Sequence, residues 1–138
     1  MIFWTGESIE WYRRAAATHN YHQLLAEKVL SYIPNQDRAR IFDLGAGLGY
    51  LSLAMAPHAK EVTALDVSLE AIDWLNNEVL RRKVNNVLTV NGDFTKLEPP
   101  PAMYDAAVLC FFGRLAQVLP RLRQWVKGPI IFITSDSR

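Results

Sequence analysis

The sequence has only one cysteine and almost no excess of charge, and both shortages exclude classes of function. Cys110 is the single cysteine among 138 residues, so no disulfide can form within the chain. This usage fits a reducing compartment, and a cytoplasmic protein is expected. The net charge is +1, from 15 basic and 14 acidic residues. Because such a chain has no global field that attracts polyanions, its composition disfavours nucleic acid as a partner.

Long hydrophobic runs are lacking as well. The longest apolar runs, residues 106–112 and 129–133, are far shorter than the roughly 20 residues that a membrane-spanning helix needs. The first residues include Glu7, Glu10 and Arg13 and do not show the basic start and apolar middle of a secretory signal. Half of all residues are nevertheless hydrophobic, which is ample for a packed core. We therefore expect a globular domain without membrane contact.

The most informative segment is DLGAGLGY, residues 43–50. Three glycines at alternate positions, Gly45, Gly47 and Gly49, follow an acid and a short apolar stretch of the kind that ends a β-strand. Without side chains, the backbone can adopt positive φ and bring its N–H groups close to a polar ligand. The same glycines would also suit a plain turn between a strand and a helix. The dinucleotide fingerprint G-x-G-x-x-G differs, because it requires a third glycine where this chain has Tyr50.

Two further acids lie at the ends of later apolar runs. Asp66, in EVTALDVS, comes 17 residues after Gly49, which is about the length of a helix, a turn and a second strand in a βαβ unit. A carboxylate there can accept hydrogen bonds from both hydroxyls of a ribose. Asp93, in VLTVNGDF, follows a third run. The structural alternatives are a helix cap at Asp66, for which Ser68 is better placed, and a turn closed by Asp93.

The glycine loop and the two later acids together resemble the cofactor motifs of class I S-adenosylmethionine-dependent methyltransferases. The resemblance extends over residues 19–134 and implies S-adenosyl-L-methionine as the cofactor. It implies that Asp43 lies near the amino end of the methionine moiety or anchors the loop, that Asp66 binds the ribose, and that Asp93 accepts a hydrogen bond from the adenine amino group. The implied cofactor-binding residues are Asp43, Gly45, Ala46, Gly47, Gly49, Tyr50, Asp66, Val67, Gly92, Asp93 and Phe94, with the Phe94 ring against the purine.

The order of apolar runs and turn signals predicts strands that alternate with helices. The predicted strands are residues 40–44, 61–66, 86–90, 105–111 and 130–134, and the predicted helices are 49–57, 69–83 and a segment from Leu115 that is interrupted or kinked at Pro120. Residues 7–33 are predicted as two helical pieces whose apolar face carries Tyr21, Leu25, Val29, Tyr32 and Ile33. This alternation predicts an α/β fold, a doubly wound and mainly parallel Rossmann-like sheet with helices on both faces.

One domain is expected over residues 1–138, with an N-terminal helical cap over 1–35 and a βα core over 39–134. Compared with the family, the sheet lacks the last two strands that usually follow the fifth. The fifth strand would then present an apolar edge from Ile130 to Thr134, which proteins rarely leave open. We expect either a fragment of a longer protein, or a homodimer or a partner chain that covers this edge.

Catalytic residues and metal ligands are not assigned. Methyltransferases of exocyclic amines in nucleic acids often carry an Asn/Asp-Pro-Pro-aromatic motif after the fourth strand, where this chain has CFFG from Cys110 to Gly113. Cys110 is interpreted as a small buried apolar residue. His19 and His22 are one helical turn apart but have no third ligand with suitable spacing, which favours no metal site.

The resemblance implies transfer of a methyl group to an unidentified small-molecule acceptor. One alternative is a non-catalytic S-adenosylmethionine-binding module or subunit, or a truncated inactive domain. A nicotinamide-dependent oxidoreductase domain is a further alternative on the same sheet topology, and Tyr50 argues against it.

Overall fold

The computed structural model describes residues 9–10, 13–14, 20–98, 103–110 and 115–133. Within these residues, five strands alternate with helices along the chain. The strands are β1 Arg40–Leu44, β2 Glu61–Asp66, β3 Val87–Asn91, β4 Ala106–Cys110 and β5 Ile130–Ile133. The longer helices are α1 Tyr21–Leu30, α2 Tyr50–Met55, α3 Leu69–Arg81 and α4 Leu115–Trp125. No described helix is both long and apolar enough to cross a membrane.

The five strands form one parallel sheet in the order β3-β2-β1-β4-β5. The chain moves outward from β1 to β3 and then returns to the other side of β1, where β4 pairs with it. Asp43 is therefore central, with Ala64 of β2 on one side and Val108 of β4 on the other. This confirms the predicted doubly wound fold and places its switch point between β1 and β4.

Apolar side chains cover both faces of the sheet, as the buried runs of a parallel sheet require. On one face, Ile41 and Val62 pack with α1 and α2, through residues such as Val29 and Met55. On the other face, side chains of α4 pack over β1 and β4. This second core consists mainly of Phe42, Leu44, Leu109, Val118, Leu122 and Trp125.

Several predicted helix boundaries are wrong by a few residues for identifiable reasons. α3 ends at Arg81 instead of residue 83, because Lys83 takes a left-handed conformation with φ of 56°. The helix predicted over residues 49–57 divides into α2 and a 3₁₀ turn, Ala56–His58, that contains Pro57. α4 runs through Pro120 without interruption, and this proline lies on the exposed side of the helix.

The predicted apolar face of the first helical region is only partly right. Val29 and Ile33 are buried as predicted, whereas Tyr21 and Tyr32 are exposed. The helix ends at Leu30, and Ala26 and Leu30 complete its buried side instead. The other expected features at residues 1–8, His19, Phe111–Gly113 and Thr134 lie outside the described residues.

Candidate functional site

The loop between β1 and α2 has the backbone conformation that its glycines predict. Gly45, Gly47 and Gly49 have φ of 76°, 59° and 78°, in the left-handed region where a side chain is disfavoured. The N–H groups of Gly45 and Ala46 donate hydrogen bonds to the carbonyl oxygen of Leu65, at 2.9 and 3.0 Å. The loop is therefore tied to the end of the neighbouring strand β2.

Asp66 joins this loop to the next one. Its Oδ2 accepts a hydrogen bond from the Gly47 N–H at 2.8 Å, and its Oδ1 accepts one from the Ser68 N–H at 2.9 Å. The cap of α3 is Ser68, whose Oγ accepts from the Ala71 N–H at 3.2 Å, as the sequence predicts. Asp66 is 9% exposed, so its carboxylate lies at the edge of the core between the two loops.

Asp43 is more deeply buried, at 1% exposure. Its Oδ2 accepts a hydrogen bond of 2.6 Å from the hydroxyl of Ser52, which is itself buried on α2. This bond anchors α2 to β1, a role that sequence reasoning did not assign to Ser52. Burial raises the pKa of Asp43 to about 6, opposed by the hydrogen bond from Ser52 and aided by the nearby charge of Asp66.

The raised pKa of Asp43 makes a testable contribution to stability. Its ordinary value of 3.8 lies below the folded value of about 6, so the folded state holds the proton more tightly than the unfolded state. Ionisation across this window therefore destabilises the native protein as the pH rises. The free energy of unfolding of the wild type, measured relative to that of Asp43→Asn, should therefore fall by about 2 kcal/mol between pH 4.5 and pH 7.5.

Urea denaturation of both proteins at the two pH values measures this difference. Asp37→Asn, which changes an exposed carboxylate, is the control for losing one acid. If the difference in free energy of unfolding between the wild type and Asp43→Asn does not change with pH, then burial does not raise the pKa of Asp43.

Asp93 follows β3 and begins a 3₁₀ turn, Phe94–Lys96. Its Oδ1 accepts hydrogen bonds from the N–H and the hydroxyl of Thr95, at 2.9 and 2.6 Å. The turn-closing role considered as an alternative is therefore present. The implied position of Phe94 is wrong, because its ring is 3% exposed and packs against Phe42 and Trp125, with centroid separations of 5.9 and 4.9 Å.

Asn91, at the end of β3, connects Asp66 with the third strand. Its amide nitrogen donates to the carbonyl oxygens of Asp66 and Val67, both at 3.1 Å, and the Gly92 N–H donates to the carbonyl of Asp66 at 3.1 Å. The next side chain after Asp66, Val67, is 70% exposed. Sequence reasoning missed Asn91, although a carboxamide at a strand end is a recognisable signal for such a link.

Tyr50 is the first residue of α2 and packs between rings of two other helices. Its ring stacks on His22 of α1, with a centroid separation of 5.2 Å and an interplanar angle of 28°, and it contacts Trp74 of α3 at 5.2 Å. Burial lowers the pKa of His22 below 6.5, which favours the neutral imidazole at neutral pH. The stack brings the start of α1 beside the glycine loop.

Cys110 ends β4, at the switch point. Burial raises the pKa of its thiol to about 12, with a further contribution from Asp43. The thiol is therefore protonated at neutral pH, which does not suit a nucleophile. Within the described part of the chain, no three His, Cys, Asp or Glu residues are grouped closely enough to hold a metal ion.

The structure thus brings the three predicted acids to one edge of the sheet. Asp43, Asp66 and Asp93 lie at or just beyond the carboxyl ends of β1, β2 and β3, with the glycine loop beside them. In open α/β sheets, this edge at the switch point is where ligands bind. The fold and the site define a Rossmann-like domain whose switch-point edge carries polar groups suited to a nucleoside-containing cofactor.

The sequence matches the family described as "Methyltransferase domain" over residues 41–128. This chain belongs to that family, the class I S-adenosylmethionine-dependent methyltransferases. It is 35% identical over 95 residues to the ribosomal protein L11 methyltransferase of Exiguobacterium sibiricum, covering 67% of this chain and 30% of the relative. It is 33% identical over 76 residues to a tRNA (guanine(37)-N(1))-methyltransferase of Pyrococcus abyssi, covering 55% of this chain and 23% of the relative.

A solved structure shows the same fold. The S-adenosylmethionine-dependent methyltransferase of Aquifex aeolicus superposes with a TM-score of 0.74 at 18% identity, over 91% of this chain and 69% of that chain. This likeness concerns the fold alone. The chain spans less than a third of the length of the curated relatives it matches.

Proposed function

We propose that this domain binds S-adenosylmethionine and transfers its methyl group to a small-molecule acceptor. The observation that carries the proposal is the set of three carboxylates at the ends of three adjacent strands, arranged around a loop without side chains at Gly45, Gly47 and Gly49. The proposed cofactor-binding residues are Asp43, Gly45, Ala46, Gly47, Gly49, Tyr50, Asp66, Val67, Gly92 and Asp93.

The chemistry of the donor and acceptor groups fits the parts of this cofactor. Asp66 offers carboxylate oxygens for ribose hydroxyls, and the exposed Val67 beside it offers an apolar surface for a flat ring. Asp93 lies beyond β3, on the outer side, where the adenine would lie. Asp43 lies at the centre of the sheet, where the methionine end would lie. The strand order therefore supports a cofactor that extends from β3 across β2 to β1.

When bound, S-adenosylmethionine supplies a methyl group activated by its sulfonium. In this proposal the protein binds the cofactor and orients it toward the acceptor. With a pKa of about 6, Asp43 is mostly ionised at neutral pH and carries a negative charge that complements the cofactor's ammonium group. The protonated thiol of Cys110 offers no thiolate, so we propose that alignment of the acceptor with the methyl carbon supplies the rate enhancement.

The near-zero net charge supports a small-molecule acceptor. Enzymes that bind RNA neutralise several phosphates with basic residues, and a net charge of +1 over 138 residues provides no general attraction for such a polyanion. The relatives named above for a tRNA and for a ribosomal protein act on macromolecules, but this chain matches only a part of each. We further propose that residues 1–35 form a cap over the site, which the stacking of His22 on Tyr50 supports.

The proposal is tested first by calorimetric titration of the chain with S-adenosylmethionine, S-adenosylhomocysteine and NADH. We expect micromolar binding of the first two and none of NADH. Binding of NADH alone would contradict the proposal, and so would the absence of binding by a folded chain.

Methyl transfer is then measured with methyl-labelled S-adenosylmethionine and three acceptor pools: small metabolites, total RNA and protein. Label in the metabolite fraction is the expected result. Label in RNA or protein would overturn the acceptor class. Cofactor binding without transfer to any pool would indicate a non-catalytic module.

A further inference from the structure

Arg121 of α4 contacts the segment that carries Asp93. Its Nε donates a hydrogen bond of 3.1 Å to the carbonyl oxygen of Phe94, and its Nη2 donates to the carbonyl of Leu97. The guanidinium also lies over the Phe94 ring, 6.0 Å from the centroid. One side chain therefore bridges the start of the 3₁₀ turn Phe94–Lys96 and the residue that follows it.

Two side chains fix this turn. Asp93 closes its beginning through the N–H and the hydroxyl of Thr95. Arg121 binds the carbonyls and connects the turn to α4, which packs on the sheet through buried residues such as Leu122. Because a guanidinium is a planar fork with fixed donor directions, two carbonyl contacts set orientation as well as distance.

We propose that Arg121 is a positioning residue for the nucleobase end of the cofactor site. By holding the turn, it fixes the carboxylate of Asp93 where it accepts a hydrogen bond from the exocyclic amino group of adenine. The inference rests on the proposed function, because it needs a cofactor with an adenine ring. It adds a residue outside the glycine loop and the strand ends on which recognition of the adenine depends.

The chain contains a matched control on the same helix. Arg123 also donates hydrogen bonds to two backbone carbonyls, those of Val126 and Gly128. Those carbonyls precede β5, at the amino end of the strand and away from the proposed site. Replacing either arginine with methionine keeps an apolar stem and removes both bonds. A comparable loss of stability is expected in both variants, and only Arg121→Met should change nucleobase recognition.

The experiment titrates wild type, Arg121→Met and Arg123→Met with two ligands, S-adenosylhomocysteine and S-inosylhomocysteine. In the second ligand a carbonyl oxygen replaces the amino group. Wild type should prefer the adenine ligand by about tenfold or more, the effect of one hydrogen bond to a charged group. Arg121→Met should lower that preference severalfold and weaken S-adenosylhomocysteine binding about tenfold, while Arg123→Met keeps both near the wild-type values.

Melting temperatures of all proteins accompany the titrations. Arg121→Lys is the second variant if methionine prevents folding. Its single ammonium cannot bind both carbonyls as the guanidinium fork does, so this variant should show an intermediate preference for the adenine ligand. An unchanged preference in a folded Arg121 variant would overturn the inference and leave the proposed function intact. Failure of wild type to bind S-adenosylhomocysteine would overturn both, so the two failures are distinguishable.

Discussion

Replacing Asp66 with alanine is expected to weaken binding of S-adenosylhomocysteine by about a hundredfold or more, beyond detection in a micromolar titration. Two losses combine in this variant. The proposed acceptor for the ribose hydroxyls is gone, and the N–H groups of Gly47 and Ser68 lose the carboxylate that accepts from them at 2.8 and 2.9 Å. An unpaired N–H in a loop that is otherwise tied to Leu65 lets the binding surface relax.

Calorimetric titration and melting temperature together separate loss of binding from loss of folding. Asp73→Ala, on the exposed side of α3, is the control for removing one aspartate. It should bind as the wild type does. Near-normal affinity in a folded Asp66→Ala protein would exclude Asp66 from the ribose site and refute the proposed orientation of the cofactor.

Replacing Gly49 with alanine is expected to lower the free energy of unfolding by about 3 kcal/mol. A Cβ on Gly49 would lie 2.5 Å from both Cδ atoms of Leu75 and 2.9 Å from its Cγ. Leu75 is fully buried on α3, so its side chain would have to shift within the packed core. The φ of 78° adds backbone strain, because alanine rarely adopts this conformation. Urea denaturation measures the loss.

A double-mutant cycle with Leu75→Ala tests the stated cause. Shortening Leu75 alone should cost about 2 to 5 kcal/mol, the range for buried leucine. The double variant should lose less free energy of unfolding than the two single variants lose together, by about 1 kcal/mol or more. The reason is that the clash is gone, while the strained φ of residue 49 remains. Gly92→Ala is the control, since its Cβ would meet Leu97 at an ordinary 3.6 Å. A strictly additive cycle would contradict the clash.

Most of the sheet and the positions of the acids were predictable from the sequence. Apolar runs that end in a polar residue define parallel strands well, and β1 and β2 begin and end as predicted. Parallel strands share one carboxyl edge, so placing Asp43, Asp66 and Asp93 together required only the strand ends and the topology. Ser68 as the cap of α3 was predictable for the same local reason, a side-chain oxygen just before a helical pattern.

Long-range packing explains what the sequence did not reveal. The direction of the Phe94 ring depends on Trp125, a residue more than thirty positions later along the chain, and no local pattern specifies that contact. Ser52 was missed because one hydrogen bond between a helix hydroxyl and a carboxylate on a strand leaves no motif in the sequence. Asn91 was missed although its carboxamide stands at a strand end, because the two carbonyl oxygens that it binds lie on another strand and the loop after it. The mixed exposure along α1 arose because tyrosine suits both the core and the surface.

The two backbone hydrogen bonds to Asp66 also limit which residue can occupy that position. A carboxylate has about four lone-pair directions, and the N–H groups of Gly47 and Ser68 use one on each oxygen. Two lone-pair directions remain, and a ribose within a nucleoside has the same number of hydroxyls in its diol. Asparagine would present an amide N–H to one of these donors, glutamate is longer by one methylene, and a phosphorylated ribose would meet a like charge. In the proposed function, this use of its acceptor capacity makes Asp66 a selector for an unmodified ribose diol.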